Sequence, residues 1–430
     1  MTRGFPNPEC SMTKSAPLLI CLSLIAGAEA QEDWQFSIKG QARTMYESYH
    51  GLDFGFDPIK DDDWIHQRVQ IMTTADYGES LRFAAEFTWG KMAGKESPLA
   101  PPDEDDPDLL QCFIQGRLPL DESTLEARVG RQTLYYGSGR LLAAREGANQ
   151  RLSHDAVLLS WQRGENSRVD AFIASPVRVE PDAFDNSSDP GELLLWSVYA
   201  VTPLPWGRDN FADIYYIGLR DEDSIFAPGG HETRHTLGAR FWRTEGPWLH
   251  NTELIAQFGD AGGRDILAGA ASLGVGRELS TLPWKPVPQL RADVISGGDK
   301  GGTIHSFHPL FQANNYFNEG GFLSPSNLYN LNPLLGLHPC EQVEISLGVN
   351  FQWLFSTHDS IYGPPLQRLA TPRPDGNRYL GTAFNASVAW NPRKDLEYFL
   401  GYTHHEAGAA IEDICGSSVD YVQASFRLSF

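Results

Sequence analysis

Val343-Glu344-Ile345-Ser346-Leu347-Gly348-Val349-Asn350-Phe351-Gln352-Trp353-Leu354-Phe355 alternates almost without a break. Val343, Ile345, Leu347, Val349, Phe351, Trp353 and Phe355 fall on one side of an extended chain. Glu344, Ser346, Gly348, Asn350 and Gln352 fall on the other, because successive side chains of a strand point to opposite faces. Such a strand needs an apolar medium on one face and water on the other. The run exceeds a typical soluble strand and suits a tilted span of about ten residues through a bilayer.

Outward from this stretch the period of two persists. Trp34, Phe36, Ile38, Gly40, Ala42 and Thr44 alternate with Gln35, Ser37, Lys39, Gln41 and Arg43. The same pattern recurs over 65–75, 81–89, 110–118, 125–131, 156–161, 169–173 and 194–200. It continues over 214–219, 235–241, 252–258, 266–275, 290–294, 382–390 and 396–402, with a weaker strand over 328–337. Val422, Ala424, Phe426, Leu428 and Phe430 form the last apolar set. The reading is all-β: a transmembrane antiparallel up-and-down β-barrel of about 18 strands. A soluble β-sandwich also alternates, but no second periodicity is present to cover an outer face. Trp34, Trp89, Phe355, Trp390 and Tyr402 end their apolar sets, where interfacial girdles belong. The ending Phe426-Arg427-Leu428-Ser429-Phe430 resembles the recognition end of outer-membrane barrels. The short link 391–395 reads as periplasmic, and the Gly- and Pro-rich stretches 98–107 and 362–377 as extracellular loops.

The totals agree. Among 430 residues there are 11 Trp, 15 Tyr and 23 Phe, yet the mean hydropathy of −0.33 is too polar for a helical membrane protein. Arg3 and Lys14, an apolar run over 16–27 and Ala28-Glu29-Ala30 have the order of a secretory signal peptide, so residues 1–30 read as removed and 31–430 as one barrel. Cys112, Cys340 and Cys415 then remain, which is no disulfide framework and no metal-ligand spacing, although a Cys340–Cys415 bridge stays open. A net charge of −21 excludes a nucleic-acid partner, which needs basic surface. Acidic runs at 61–63 and 103–108 read as solvated loops, with a cation site as the alternative. Outer-membrane lipid and lipopolysaccharide, with its bound divalent cations, are the expected surroundings.

Parity directs Lys39, Arg43, Arg68, Arg82, Arg128, Arg168, Arg240 and Arg291 to the lumen, each alternating with apolar neighbours. It directs Glu86, Glu126, Asp170, Glu253, Asp293 and Glu344 there too. Two readings stand side by side. Guanidinium groups pair carboxylates bidentately and stay charged, so they can select an anionic solute. Equally, arginines and acids on neighbouring strands can form ladders that stiffen the wall. Arg131 shares parity with Val129, which would aim it at lipid unless a bulge at Gly130 turns it or the strand ends there. His404-His405-Glu406 is a local cluster of catalytic type, but it ends a strand and reads as rim. No Gly-x-Ser-x-Gly, His-Glu-x-x-His or phosphate-cradling loop occurs, so no catalysis and no cofactor is read.

Several segments resemble the alginate export family. They are Val129-Gly130-Arg131-Gln132-Thr133-Leu134-Tyr135-Tyr136-Gly137-Ser138-Gly139-Arg140-Leu141 and, downstream, His154-Asp155-Ala156-Val157. Further likenesses are Arg234 to Arg240, Glu253 with Gln257-Phe258-Gly259, Phe307-His308-Pro309-Leu310-Phe311, Asn327-Leu328 and Asp359-Ser360-Ile361-Tyr362. Ser296-Gly297-Gly298-Asp299 departs from the family's Ser-Gly-Asp by one glycine. The resemblance covers roughly 109–430 and implies an 18-stranded monomeric porin passing an acidic polysaccharide through an arginine-rich constriction. It makes Arg131 a constriction candidate with Asp155 as its orienting carboxylate, and implies a periplasmic polysaccharide synthesis assembly as partner. The candidate pore residues are therefore Lys39, Arg43, Arg68, Arg128, Arg131, Asp155, Arg240, Glu253, Arg291 and Asp293. A nutrient-uptake porin for small anionic solutes is the first alternative, and a barrel hydrolase or adhesin the second.

Overall fold

The computed structural model describes residues 34–430 apart from 165, 206–208 and 244–245. The expected signal peptide lies outside the described residues. Eighteen long strands form one closed antiparallel barrel. The wall runs β1 (Trp34–His50), β2 (Asp61–Tyr77), β3 (Leu81–Ala93), β4 (Asp105–Pro119), β5 (Ser123–Gln132) and β6 (His154–Arg163). It continues through β7 (Ser167–Arg178), β8 (Leu193–Pro203), β9 (Phe211–Asp221), β10 (Glu232–Arg243), β11 (Trp248–Ala261) and β12 (Arg264–Arg277). β13 (Val287–Ile295), β14 (Leu328–Cys340), β15 (Val343–Leu354), β16 (Tyr379–Arg393), β17 (Leu396–Ala407) and β18 (Val419–Ser429) complete it. Each strand pairs with the next, and β1 closes on β18 from Gln41↔Ser429 to His50↔Asp420. Closure leaves no edge with unpaired backbone, the condition for strands to cross lipid.

The outer face carries the expected apolar sets: Ile38, Ile214 and Leu267 are each more than 60 % exposed, a burial pattern that only a lipid surround explains. Tight turns at 78–80, 120–122, 341–342 and 394–395 gather at the end where β1 starts and β18 finishes. Long connections, 133–153, 296–327 and 355–378 among them, gather at the other. Short turns mark the periplasmic end and long loops the extracellular end. An aromatic girdle sits at the periplasmic end, with Trp34 and Tyr77 rings 5.2 Å apart and Tyr398 between Trp390 and Phe426 at 5.3 and 5.6 Å.

Two expectations need correction. The acidic residues 61–63 and 105–108 stand at the extracellular ends of β2 and β4 rather than in loops. Those strands project past the apolar belt, where polar residues still find backbone partners in the sheet. Cys112, Cys340 and Cys415 are all free, because Cys340 ends β14 on the periplasmic side while Cys415 lies in the extracellular connection 408–418.

Connections 133–153 and 296–327 fold into the barrel. Leu141 and Phe311 are joined by a backbone hydrogen bond of 2.8 Å, and Ala143 donates to the Phe311 carbonyl at 2.9 Å. Leu134, Leu142, Phe307 and Leu310 then pack on inward-facing Leu158, Phe172, Leu195 and Ile217. Each fully buried side chain of this kind contributes about 1.5–3 kcal/mol, so the loops are a second core inside the wall. That core reaches round the lumen as far as Leu354 on β15 and Tyr421 on β18.

Candidate functional site at the waist of the lumen

Strand register builds a row of arginines. Arg43 on β1 lies directly opposite Arg68 on β2 and directly opposite Arg427 on β18. Neighbouring strands are about 4.8 Å apart, so three guanidinium stems enter the lumen side by side. Arg427 is closed off on its far side by Glu397 on β17 at 2.6 Å. Arg43 and Arg68 turn instead to the tip of the folded-in loop 133–153. Arg43 donates to the carbonyls of Glu146 at 2.7 Å, Gly147 at 3.3 Å and Ala148 at 3.0 Å. Arg68 donates to the carbonyls of Glu146 at 3.3 Å and Ala148 at 3.1 Å, and to the Glu146 carboxylate at 3.1 Å. Arg68 is 0 % exposed. Its depth is supported by five charge-assisted contacts to carbonyls shared with Arg43 and by one ion pair, without which burying the charge would be prohibitive.

Two cavities flank this level. On the periplasmic side one of 670 Å³ is lined by Lys39, Gln41, Gln70, Glu86, Glu397 and Arg427. On the extracellular side one of 340 Å³ is lined by Glu47, Trp64, His66, Ala148, Glu319 and Tyr421. Arg43 and Arg68 fall between the two along their strands and line neither, whereas Gly147 and Ala148 of the loop tip line the upper one; this level between the cavities is called the waist.

The tip is fastened by charge. Burial alone would raise the Glu146 pKa, but Arg151, at 2.6 Å, and Arg68 outweigh it and hold the carboxyl below its ordinary 4.5. A depressed pKa in the folded loop means that the fastening is present above 4.5 and is lost as pH falls through the lowered value. Release of the tip is therefore expected only below pH 4.5, read as a rise in single-channel conductance that Glu146→Gln abolishes. A rise beginning near pH 6 would sink this assignment and point to a histidine.

The other expected residues divide clearly. Lys39 reaches the lower cavity, and Arg128 is tied to Gln115 at 2.7 Å and Glu126 at 3.2 Å. Arg82 pairs with Asp76, Arg168 with Asp170 and Arg240 with Asp213. These ladders fit the structural alternative. Glu253 pairs with Arg140 of the loop, and Arg291 and Asp293 hold Tyr316 through its carbonyl and its hydroxyl, each at 2.8 Å. Glu344 is exposed beside the periplasmic turn 341–342. Arg131 is not at the waist. At Gly130 φ is +126°, and a Cβ would meet the Cys112 carbonyl oxygen at 2.3 Å, yet the β4–β5 register runs through it unshifted. Arg131 therefore keeps the parity of Val129 on the outer face, at the extracellular rim, bound to Asp155 at 3.0 Å. His404 at the rim is engaged by Asp420 and Glu406. Arg427 obeys the same parity as Arg43 and was within reach of it, whereas Arg140, Glu146, Arg151 and Tyr316 sit in loops that carry no periodicity.

A closed wall of eighteen strands with a lipid-facing belt and loops narrowing a charged lumen defines a channel of the porin type in the bacterial outer membrane. Solved structures share the fold: OccK8 (OprE) of Pseudomonas aeruginosa, 11 % identical with a TM-score of 0.61, covers 92 % of this chain and 98 % of its own. OpdO of the same organism is 12 % identical with a TM-score of 0.63 over 93 % and 98 %. OpdK, solved with vanillate, is 11 % identical with a TM-score of 0.62 over 93 % and 99 %. No curated protein sequence matches the chain. The family model for alginate export matches residues 34–425, and the chain belongs to that family.

Proposed function

We propose that the chain is an anion-selective channel for carboxylate-bearing solutes, with an alginate-like acidic polysaccharide as its cargo. The row Arg43–Arg68–Arg427 at the waist carries this reading. A polyuronate has one carboxylate per sugar, and fixed guanidinium groups replace the water it must shed in a narrow passage. Arg427 of the row and Lys39 both line the lower cavity, where a carboxylate can meet them. Family membership supports the polymeric cargo.

A second reading has an observation of its own. The upper cavity is only 340 Å³ and presents Trp64, Tyr49 and Tyr421, dimensions and chemistry that suit one small ring-bearing carboxylate taken up from outside. Reversal potentials in a planar bilayer test the shared reading: anion preference is the expected result, and cation preference would overturn it. Titration with uronate oligomers of increasing length and with vanillate, added to either side, separates the two cargoes. Block that strengthens with oligomer length supports the polysaccharide; block by vanillate alone supports small-solute uptake.

A further inference from the structure

At the extracellular rim β4 runs past the end of its pairing with β5, which stops at Cys112 and Arg131. Beyond that point it bulges twice relative to β3, first at Leu110 and again where Thr88 faces Asp108 while Gly90 faces Asp105. In a regular strand side chains three positions apart point to opposite faces. The bulge across Asp106 and Pro107 cancels the odd step and brings the Asp105 and Asp108 carboxylates together. Connection 179–192 supplies a third, Asp185, and one oxygen from each of the three lies within 4.8 Å of the others.

Asn186 sets the geometry. Its N–H donates to Asp108 Oδ2 at 3.0 Å, its side-chain amide donates to Asp105 Oδ2 at 2.8 Å, and its carbonyl accepts from Arg131 at 3.0 Å. Asp105 is 0 % exposed, and its second oxygen, Oδ1, has no hydrogen-bond partner in the protein. The nearby cations are spent elsewhere. Arg131 approaches Asp108 only to 3.8 Å and is engaged by Asp155, while Lys91 reaches Asp106 and Glu104. A buried carboxylate oxygen without a donor, beside two more carboxylates, is unfavourable unless a cation or a proton joins it.

We infer that Asp105, Asp108 and Asp185 form a Ca²⁺ site that pins connection 179–192 to the rim of β4. The three oxygens are no farther apart than two oxygens on opposite sides of a Ca²⁺ with bonds of about 2.4 Å. All donors are hard carboxylate oxygens, and the exposed Asp185 leaves positions for water, as Ca²⁺ accepts. Three carboxylates drawn from a strand end and a loop place the Kd at about 10⁻⁴–10⁻³ M, the range of extracellular calcium modules.

The test is calorimetric titration of the chelator-stripped, detergent-purified barrel with CaCl2, with limited proteolysis of connection 179–192 as a second readout. One Ca²⁺ per chain is expected, together with slower cleavage. Asp185→Asn, at an exposed position where folding is not at stake, weakens binding about tenfold or more and removes the protection. Asp182→Asn, in the same connection but outside the cluster, leaves both intact. No binding at about 10 mM Ca²⁺ and about pH 8, or wild-type affinity in both Asp185→Asn and Asp105→Asn, would overturn the site and leave a proton on Asp105 as the answer.

Discussion

Alanine at both Arg43 and Arg68 raises single-channel conductance several-fold and takes the anion preference toward zero. Between them these side chains make five hydrogen bonds to the carbonyls of Glu146, Gly147 and Ala148, and Arg68 adds one to the Glu146 carboxylate. A hydrogen bond to a charged group contributes about 1.5–3 kcal/mol net, so the pair is a strong restraint on the tip of loop 133–153, beside the Asn149 bonds to the Lys91 and Asp103 carbonyls. Losing it frees the tip and removes two of the three charges of the row. The two effects are separable. Lysine at both positions keeps the charge but not the planar fork that reaches two carbonyls at once. Arg43→Lys with Arg68→Lys should therefore loosen the tip, raise conductance and retain the anion preference. Unchanged conductance and unchanged reversal potential in the double alanine variant would remove both the latch and the filter.

How much of this was legible depends on what each residue answers to. A strand in lipid must alternate, because one face has no water, and so the wall could be read from stretches such as 343–355, including the weak strand at 328 and the closing one at 419. Above the apolar belt that constraint ends. There hydropathy no longer reports pairing, and Asp61 to Asp63 and Asp105 to Asp108 look like loops although they extend strands. The bulge that gathers Asp105 and Asp108 is a register event between two strands, invisible in either sequence alone.

The waist shows the same division. Arg43 and Arg68 follow from parity, and Arg427 follows from the same rule applied to the last strand, whose apolar set draws attention away from the residues between. What parity cannot supply is the other wall of the passage. Loop 133–153 reaches its place through apolar contacts with loop 296–327 and with β6 to β9, so the distance from Glu146 to Arg68 is a tertiary fact. Arg131 is the instructive contrast. Its family likeness points to a constriction and its parity to the outer face, and parity prevails because β5 passes Gly130 without a register shift. The cost expected of a lipid-facing arginine does not arise, since Arg131 stands at the rim with Asp155 and two backbone carbonyls around it.

The staple that holds both loops in place should be the most sensitive point for their stability. Arg140 of loop 133–153 is bound to Glu253 on β11, to the Tyr316 hydroxyl of loop 296–327 at 2.5 Å and to Ser272 on β12 at 2.7 Å. Tyr215 adds a bond to Glu253 at 2.6 Å, and Asn330 one to Asp293 at 3.0 Å beneath Tyr316. Arg140 and Glu253 side chains are 7 % and 4 % exposed, so removing one strands the other in a dry site, at a cost of about 3–5 kcal/mol. Arg140→Met should leave the barrel folded, because the ladder bonds of the wall are untouched, while both loops become protease-sensitive and the channel current flickers. The double variant Arg140→Met/Glu253→Met should recover most of the loss, since a buried ion pair exchanged for apolar groups of similar volume is often close to neutral. A thermal-melt cycle over the four proteins decides it: strong non-additivity supports a stapled pair, whereas single effects that simply add would mean that apolar packing alone holds the loops inside the barrel.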